Sequence, residues 1–186
     1  METSENSPLL VGICGLKGSG KTTLANGLAD KTGGKVMNFA DPLKEMAIEY
    51  FGLDRSTVFG TQDDKDGTLT AYHKSELPSY SGEDKDGYAT YREFLQYLGT
   101  DIFRTINPEC WVNKLKAEAG KSGKPVFVGD VRFPNEVEAC NRAVGVDNGS
   151  SSDGHASEQR LDVHYIDTAE HGIEETVEIA IGILQL

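Results

Sequence analysis

Cysteine is scarce in these 186 residues: Cys14, Cys110 and Cys140 stand far apart and are odd in number. That excludes a disulfide framework and suits reduced, buried thiols in a cytosolic setting. No Cys/His group has zinc spacing. Positive charge is also short. Eighteen Lys and Arg against thirty Asp and Glu leave a net charge of −12, so the chain lacks the basic face of a general nucleic-acid binder. Any phosphate must then be held by local groups and not by the overall field. No apolar run reaches membrane-spanning length, and METSENSPLL lacks the basic-then-apolar order of a signal peptide. Ser/His/Asp and Cys/His triads are missing. The acidic pieces QDDKDG (62–67) and GEDKDG (82–87) do not fit the spacing of a calcium loop. There is no long internal repeat. The expectation is a cytoplasmic protein, monomer or homodimer, with a small-molecule partner, no nucleic acid and no membrane. Residues 9–186 suffice for one domain with a real core, behind a flexible tail over 1–8.

What is present begins at Leu9. Leu9 to Cys14 is a short apolar run of strand type, and Gly15-Leu16-Lys17-Gly18-Ser19-Gly20-Lys21-Thr22 fits G-x-x-x-x-G-K-[ST]. Thr22 onward reads as a helix, the context a phosphate-binding loop requires. Glycines let successive backbone N–H groups turn toward phosphate oxygens, and the helix N-terminus adds partial positive charge. Gly15, Lys17, Gly18, Ser19, Gly20, Lys21, Thr22 and Thr23 are the expected ATP ligands. Lys21 is expected on the β/γ-phosphates and Thr22 on Mg²⁺.

Beyond the loop, strands alternate with helices. A helix over about Thr22–Lys31 stops at Gly33-Gly34, and KVMNFA (35–40) is a short strand running into the helix start Asp41-Pro42. Residues 54 to about 89, rich in Asp, Gly, Ser and Tyr, read as an irregular flap beside the acceptor. The helical pattern returns in TYREFLQYLGTDIFRTI, and Asn107-Pro108-Glu109 starts another helix. PVFVGDV (125–131) is a buried strand ending in an acid, followed by a helix from Phe133 to about Arg142. The 147–160 stretch is a Gly/Ser-rich loop, Leu161–Ile166 a last strand, and Ile173–Leu184 a closing helix. This order predicts an α/β fold of the P-loop NTPase type: a parallel sheet with helices on both faces.

Three features narrow the chemistry. Asp130 at a strand end can hold Mg²⁺ or its waters. In such a sheet ligands sit beyond the carboxyl ends of the strands, which sends Asp41, Asp130 and Arg132 to the same crevice as the loop. Arg92, Arg104, Arg132, Arg142 and Arg160 supply groups that grip phosphates bidentately. Lastly, an acceptor that is itself a phosphate needs no catalytic base. Positioning and charge neutralisation then suffice, with Lys21, Arg92, Asp130 and Arg132 as the catalytic set.

GLKGSGKTTLA, FADPLK, TYREFLQYLGTDIFR followed by PECWV, DVRFPNE and DGHASEQ resemble, in this order, the deoxynucleoside monophosphate kinases of tailed bacteriophages. These are relatives of the adenylate-kinase-like nucleotide kinases. The resemblance touches most of the chain from Val11 to Ile179. It implies ATP-dependent conversion of dNMP to dNDP for dNTP synthesis, in the host cytoplasm for a phage-encoded chain. It also implies an acceptor-side insertion over about 54–92 and a lid over about 147–160. Carried over by residue, Lys17 is shared with the acceptor, and Phe39, Asp41 and Lys44 line the acceptor side. Arg92 and Gln96 meet the dNMP phosphate and base, with Arg104 nearby, and Trp111 either stacks on a base or packs in the core. Asp130, Arg132, Asn135 and Glu136 form the Mg²⁺ and substrate edge. His155, Ser157 and Glu158 belong to the lid, with Arg142 and Arg160 as alternatives for its arginine. One segment departs from the family pattern. Only Ala143–Val146 is available for the strand before the lid, which is either very short or lost. Two rivals stay open: a P-loop kinase for another phosphorylated metabolite of the dephospho-coenzyme A kind, with Asp41 as base, and a nucleotide-switched binding protein.

Overall fold

The computed structural model describes residues 8–16, 18–149 and 161–186. Lys17 and the expected lid residues His155, Ser157, Glu158 and Arg160 lie outside the described residues. In chain order the elements are β1 (Leu10–Cys14), α1 (Lys21–Thr32), β2 (Lys35–Met37), α2 (Asp41–Phe51), α3 (Arg55–Val58) and α4 (Gln62–Gly67). Next come β3 (Leu69–His73), a 3₁₀ turn (Lys74–Glu76), β4 (Tyr88–Thr90), α5 (Tyr91–Gln96) and a π-helical stretch (Tyr97–Arg104). The chain ends with α6 (Cys110–Ala119), β5 (Val126–Val131), α7 (Pro134–Ala139), β6 (Arg142–Asp147), β7 (Tyr165–Asp167) and α8 (Ile173–Leu184). They form two compact units, Met1–Phe39 with Val112–Leu186, and Ala40–Trp111.

In the first unit five parallel strands run in the order β2-β5-β1-β6-β7. β1 is buried along its whole length, as a central parallel strand should be. Its odd residues Val11 and Ile13 join one core cluster with Leu24, Leu28, Val177 and Leu184 from α1 and α8. Successive strand residues face opposite ways, so Gly12 looks to the other side. A Cβ there would meet Cys140 Sγ, just past α7, at 3.0 Å and Val131 at 3.2 Å. Helices therefore cover both faces, as the alternation of elements implies. The chain leaves β1 toward β2 on one side and leaves the neighbouring β5 toward β6 on the other, which makes the carboxyl ends of β1 and β5 a switch point of the sheet.

The strand before the expected lid is not lost. β6 is six residues long and pairs with β1 and β7. The preceding helix stops at Ala139, three residues short of Arg142, because Arg142 opens β6. Its guanidinium reaches the carbonyls of Leu184 and Gln185, where it caps the end of α8. A cation at a helix C-terminus satisfies orphan carbonyls and opposes the dipole. Arg142 is thus an arginine of the sheet and not of a lid.

The second unit, Ala40–Trp111, is more regular than its composition suggested. QDDKDG folds as α4 with a reciprocal capping box: Asp64 N–H on the Thr61 hydroxyl at 3.2 Å, Thr61 N–H on the Asp64 carboxylate at 2.7 Å. The spacing that fails a calcium loop succeeds as a helix start. β3 and β4 form a small antiparallel pair. Phe94 stacks on Tyr72 at 4.5 Å between centroids and meets Phe51 edge-on at 5.3 Å, and these rings centre a core with Leu43, Val58, Leu95 and Leu98. Asn107 caps a turn that precedes α6, which itself starts at Cys110.

Candidate active site

The segment between β1 and α1 is built for an anion. Gly15, Gly18 and Gly20 take φ of +146°, +77° and +92°. At Gly15 a Cβ would fall 2.2 Å from the Val146 carbonyl oxygen and 2.6 Å from Ser19 Oγ, so only glycine fits. The Lys21 ammonium folds back and donates to the carbonyls of Gly15 at 2.9 Å and Leu16 at 2.5 Å. No side chain caps α1, and no acid stands in its first turn. A helix start without a side-chain cap or an acid favours an external anion. Ser19 Oγ is buried with no hydrogen-bond partner, a group that a ligand oxygen would satisfy. Thr22 and Thr23 are exposed at the helix start.

β5 lies beside β1, with Val131 opposite Cys14, so Asp130 and Arg132 emerge at the same sheet edge as the loop. Asp130 accepts the Phe39 N–H at 2.8 Å, tying it to the chain beyond β2. Glu136 is buried and accepts the N–H groups of Arg132 at 2.8 Å and Phe133 at 3.1 Å. It holds the turn that carries Arg132, which is a positioning task. Asn135 is half-buried in the same turn. A magnesium ion fits the donor set: hard oxygens from one carboxylate and one hydroxyl, with phosphates and water completing the shell. Among the described residues no three His, Cys, Asp or Glu side chains gather into a metal cage.

A pocket of about 290 Å³ opens beside the loop. Gly18, Ser19, Gly20, Thr23 and Leu24 line one side; Asn148, Thr168, His171, Ile173 and Thr176 line the other. Sequence reasoning missed this second set. Two of its members also hold the loop: Asn148 donates to the Gly18 carbonyl at 3.2 Å, and the Thr168 hydroxyl lies 3.2 Å from the Ser19 carbonyl and 3.0 Å from that of Asp147. The available signal was positional. Both follow strands of a parallel sheet, where ligands collect.

No family model matches the chain. The chain is 33% identical over 174 residues, 82% of each protein, to a protein of Acanthamoeba polyphaga mimivirus named "Putative deoxynucleotide monophosphate kinase". The chain belongs to that kinase family. It is a P-loop nucleotide kinase, an enzyme of phosphoryl transfer. Among solved structures, a mutant APS kinase of Mycobacterium tuberculosis aligns with 14% identity and a TM-score of 0.49, over 97% of this chain and 99% of that one. A sugar kinase from Janibacter aligns with 17% identity and a TM-score of 0.45, over 96% and 95%. No helix among the described residues is long and apolar enough to cross a membrane.

The second unit of the kinase carries most of the expected acceptor residues. Asp41 opens α2 and pairs with Lys44 at 3.3 Å; the Lys44 ammonium also sits 5.0 Å over the Phe59 ring. Arg92 pairs through Nε with Asp66, while its Nη2 is buried with no hydrogen-bond partner. Lys65 on α4, which sequence reasoning passed over, donates to the carbonyls of Gly60 and Thr61. Its burial, and then the like charges of Lys44 and Arg92, depress its pKa below the ordinary lysine value by more than Asp64 and Asp66 restore. Arg104 ends the π-helical stretch near the Cys110 thiol, so it and Arg92 serve different neighbours. Gln96 closes α5, half-buried. Trp111 makes packing contacts: its indole N–H donates to the Gly99 carbonyl at 3.2 Å and its ring lies 5.3 Å from that of Phe103. Phe39 of the first unit is buried. The cysteines are free thiols; burial and the nearby Glu136 charge push the Cys140 thiol up to about 12.

Proposed function

We propose that this kinase transfers the γ-phosphoryl group of ATP to the phosphate of a deoxynucleoside monophosphate, giving ADP and the deoxynucleoside diphosphate. The P–O bond to the β-phosphate breaks, and an oxygen of the acceptor phosphate forms the new one. That oxygen is already anionic, so no side chain needs to remove a proton. The observation that carries this reading is the loop, in which Lys21 is held on two carbonyls beside an uncapped helix start. In a chain related to a protein named for deoxynucleotide monophosphates, it gives the triphosphate a place. Lys21 and the loop N–H groups bind and orient the β/γ-phosphates, and the base enters the pocket lined by Asn148, Thr168 and His171. Mg²⁺ carried with the triphosphate, held by Thr22 and Asp130, would neutralise phosphate charge. Arg132, fixed by Glu136, offsets the negative charge that builds as the two phosphates approach. Lys44, Arg92 and Gln96 hold the acceptor.

The test is direct. The protein is incubated with ATP, Mg²⁺ and each common dNMP and NMP in turn, and diphosphates are separated and quantified. Diphosphate from at least one dNMP, in preference to its ribose counterpart, is expected. Turnover of ATP with none of them would overturn the assignment of the acceptor.

A further inference from the structure

The acidic piece QDDKDG, set aside as a calcium loop, places a lysine among cations. We propose that Lys65 joins Lys44 and Arg92 in an anion site of the second unit that grips the phosphomonoester of the acceptor nucleotide. This rests on the nucleotide-kinase reading above and adds to it a residue that no motif marks.

Three elements converge: α2 brings Lys44, α4 brings Lys65 and α5 brings Arg92. The acids around them are committed. Asp41 takes Lys44, Asp66 takes Arg92 Nε, and Asp64 takes the N–H and hydroxyl of Thr61. Arg92 Nη2 is nonetheless left buried and without a hydrogen-bond partner. A guanidinium carries five donors in a fixed fork, and a buried donor left unmet is costly, so its presence calls for an acceptor from outside the chain. Lys65 spends two donors on the Gly60 and Thr61 carbonyls; an ammonium has three. Lys65 feels the like charges of Lys44 and Arg92 even with Asp64 and Asp66 beside it, and Asp66 on α4 already holds α5 close through Arg92. A dianionic phosphate with three acceptor oxygens answers all three cations at once, by the same charge-assisted bonding a phosphorylated side chain makes with basic clusters.

The site is tested with Lys65→Gln and Lys65→Arg in steady-state kinetics and thermal melts. Lys65→Gln should raise the KM for the dNMP about tenfold or more, the scale of one hydrogen bond to a charged group, and leave the KM for ATP within about twofold. Lys65→Arg should recover most of that loss. Inorganic phosphate should raise the melting temperature of the wild type more than that of Lys65→Gln, while the unphosphorylated deoxynucleoside should not distinguish them. An unchanged dNMP KM in folded Lys65→Gln would overturn the proposal. Should that variant not fold, inhibition of the wild type by inorganic phosphate decides. Competition against dNMP supports the site, and competition against ATP alone overturns it. A wild type that phosphorylates no dNMP, yet loses phosphate binding on Lys65→Gln, would overturn the assigned substrate and leave the anion site standing.

Discussion

The two units present positive charge by different means. In the first, the phosphate loop is made of backbone: three left-handed glycines, a helix start without a side-chain cap and one lysine pinned to carbonyls. In the second, side chains from α2, α4 and α5 supply the charge, each with its own acid partner nearby. A backbone site constrains consecutive residues, so it leaves a short fixed pattern. A side-chain site constrains only where three distant residues end up. The contrast also bears on order: backbone donors are preorganised by the fold, whereas side-chain cations are placed by the acids they pair with.

The largest effect should come from Lys21→Ala. Removing a preorganised charge from the transferring phosphoryl group costs on the order of 10²–10³ in kcat, read by coupled detection of ADP, with the fold retained. Near-normal turnover would show that the backbone site is not the donor site. Within that same loop, Gly15→Ala and Gly18→Ala separate packing from conformation. At Gly15 a methyl meets the Val146 carbonyl oxygen at 2.2 Å; at Gly18 nothing lies within 4 Å. Strain and overpacking together set the first at about 2–5 kcal/mol; the second costs only the left-handed penalty of about 1–2 kcal/mol. Urea denaturation of both variants checks the gap, and equal losses would mean that the close approach of β6 to the loop is unimportant.

The same contrast explains what could be read in advance. The loop, the Asp41 helix start, α8 and the parallel sheet were legible because Gly/Pro punctuation and apolar runs specify them locally. β6 was not, because Arg142-Ala143-Val144-Gly145 carries little strand signal; it is a strand because β1 and β7 flank it. The 54–89 stretch read as irregular because α3 and α4 are short and polar, held by Asp54 and Thr61 caps and not by an apolar stripe. Lys65 and the Asn148/Thr168 pair stayed invisible for the reason given above: their partners are distant in sequence. Arg142 misled in the opposite sense, since a charged residue near a motif looks functional until its backbone partners are seen.

A smaller effect sharpens the side-chain half of the contrast. Lys74 is buried and donates to Glu93 at 2.8 Å. Burial alone would raise the Glu93 pKa, but hydrogen bonds from Lys74 and Thr90 outweigh it and hold the carboxyl below its ordinary value of 4.5. A carboxyl depressed on folding adds stability above the unfolded pKa, and loses it as pH falls through the folded one. Lys74→Ala should therefore cost about 1–3 kcal/mol at pH 7, discounted for the third of Glu93 that remains exposed. It should also flatten the loss of stability as pH falls below the ordinary carboxyl value of 4.5, under which Glu93 is held. Guanidinium unfolding at pH 7 and across pH 3–5 measures both; parallel acid curves for variant and wild type would remove the pair from the account.

The smallest effect decides the fate of Trp111. A tryptophan near an acceptor segment invites a stacking role, yet its indole N–H is spent on the Gly99 carbonyl and its ring on Phe103. Gly99 lies in the π-helical stretch, whose widened turns free carbonyls from their usual partners, and the indole satisfies one of them. Trp111→Phe keeps the ring and drops the donor. It should lower stability by about 1 kcal/mol, the net worth of one neutral hydrogen bond, and leave the dNMP KM within about twofold. A stacking residue would show the reverse, since a base loses contact area on the smaller ring: unchanged unfolding free energy with a dNMP KM raised several-fold would move Trp111 from the core of the second unit to its binding surface.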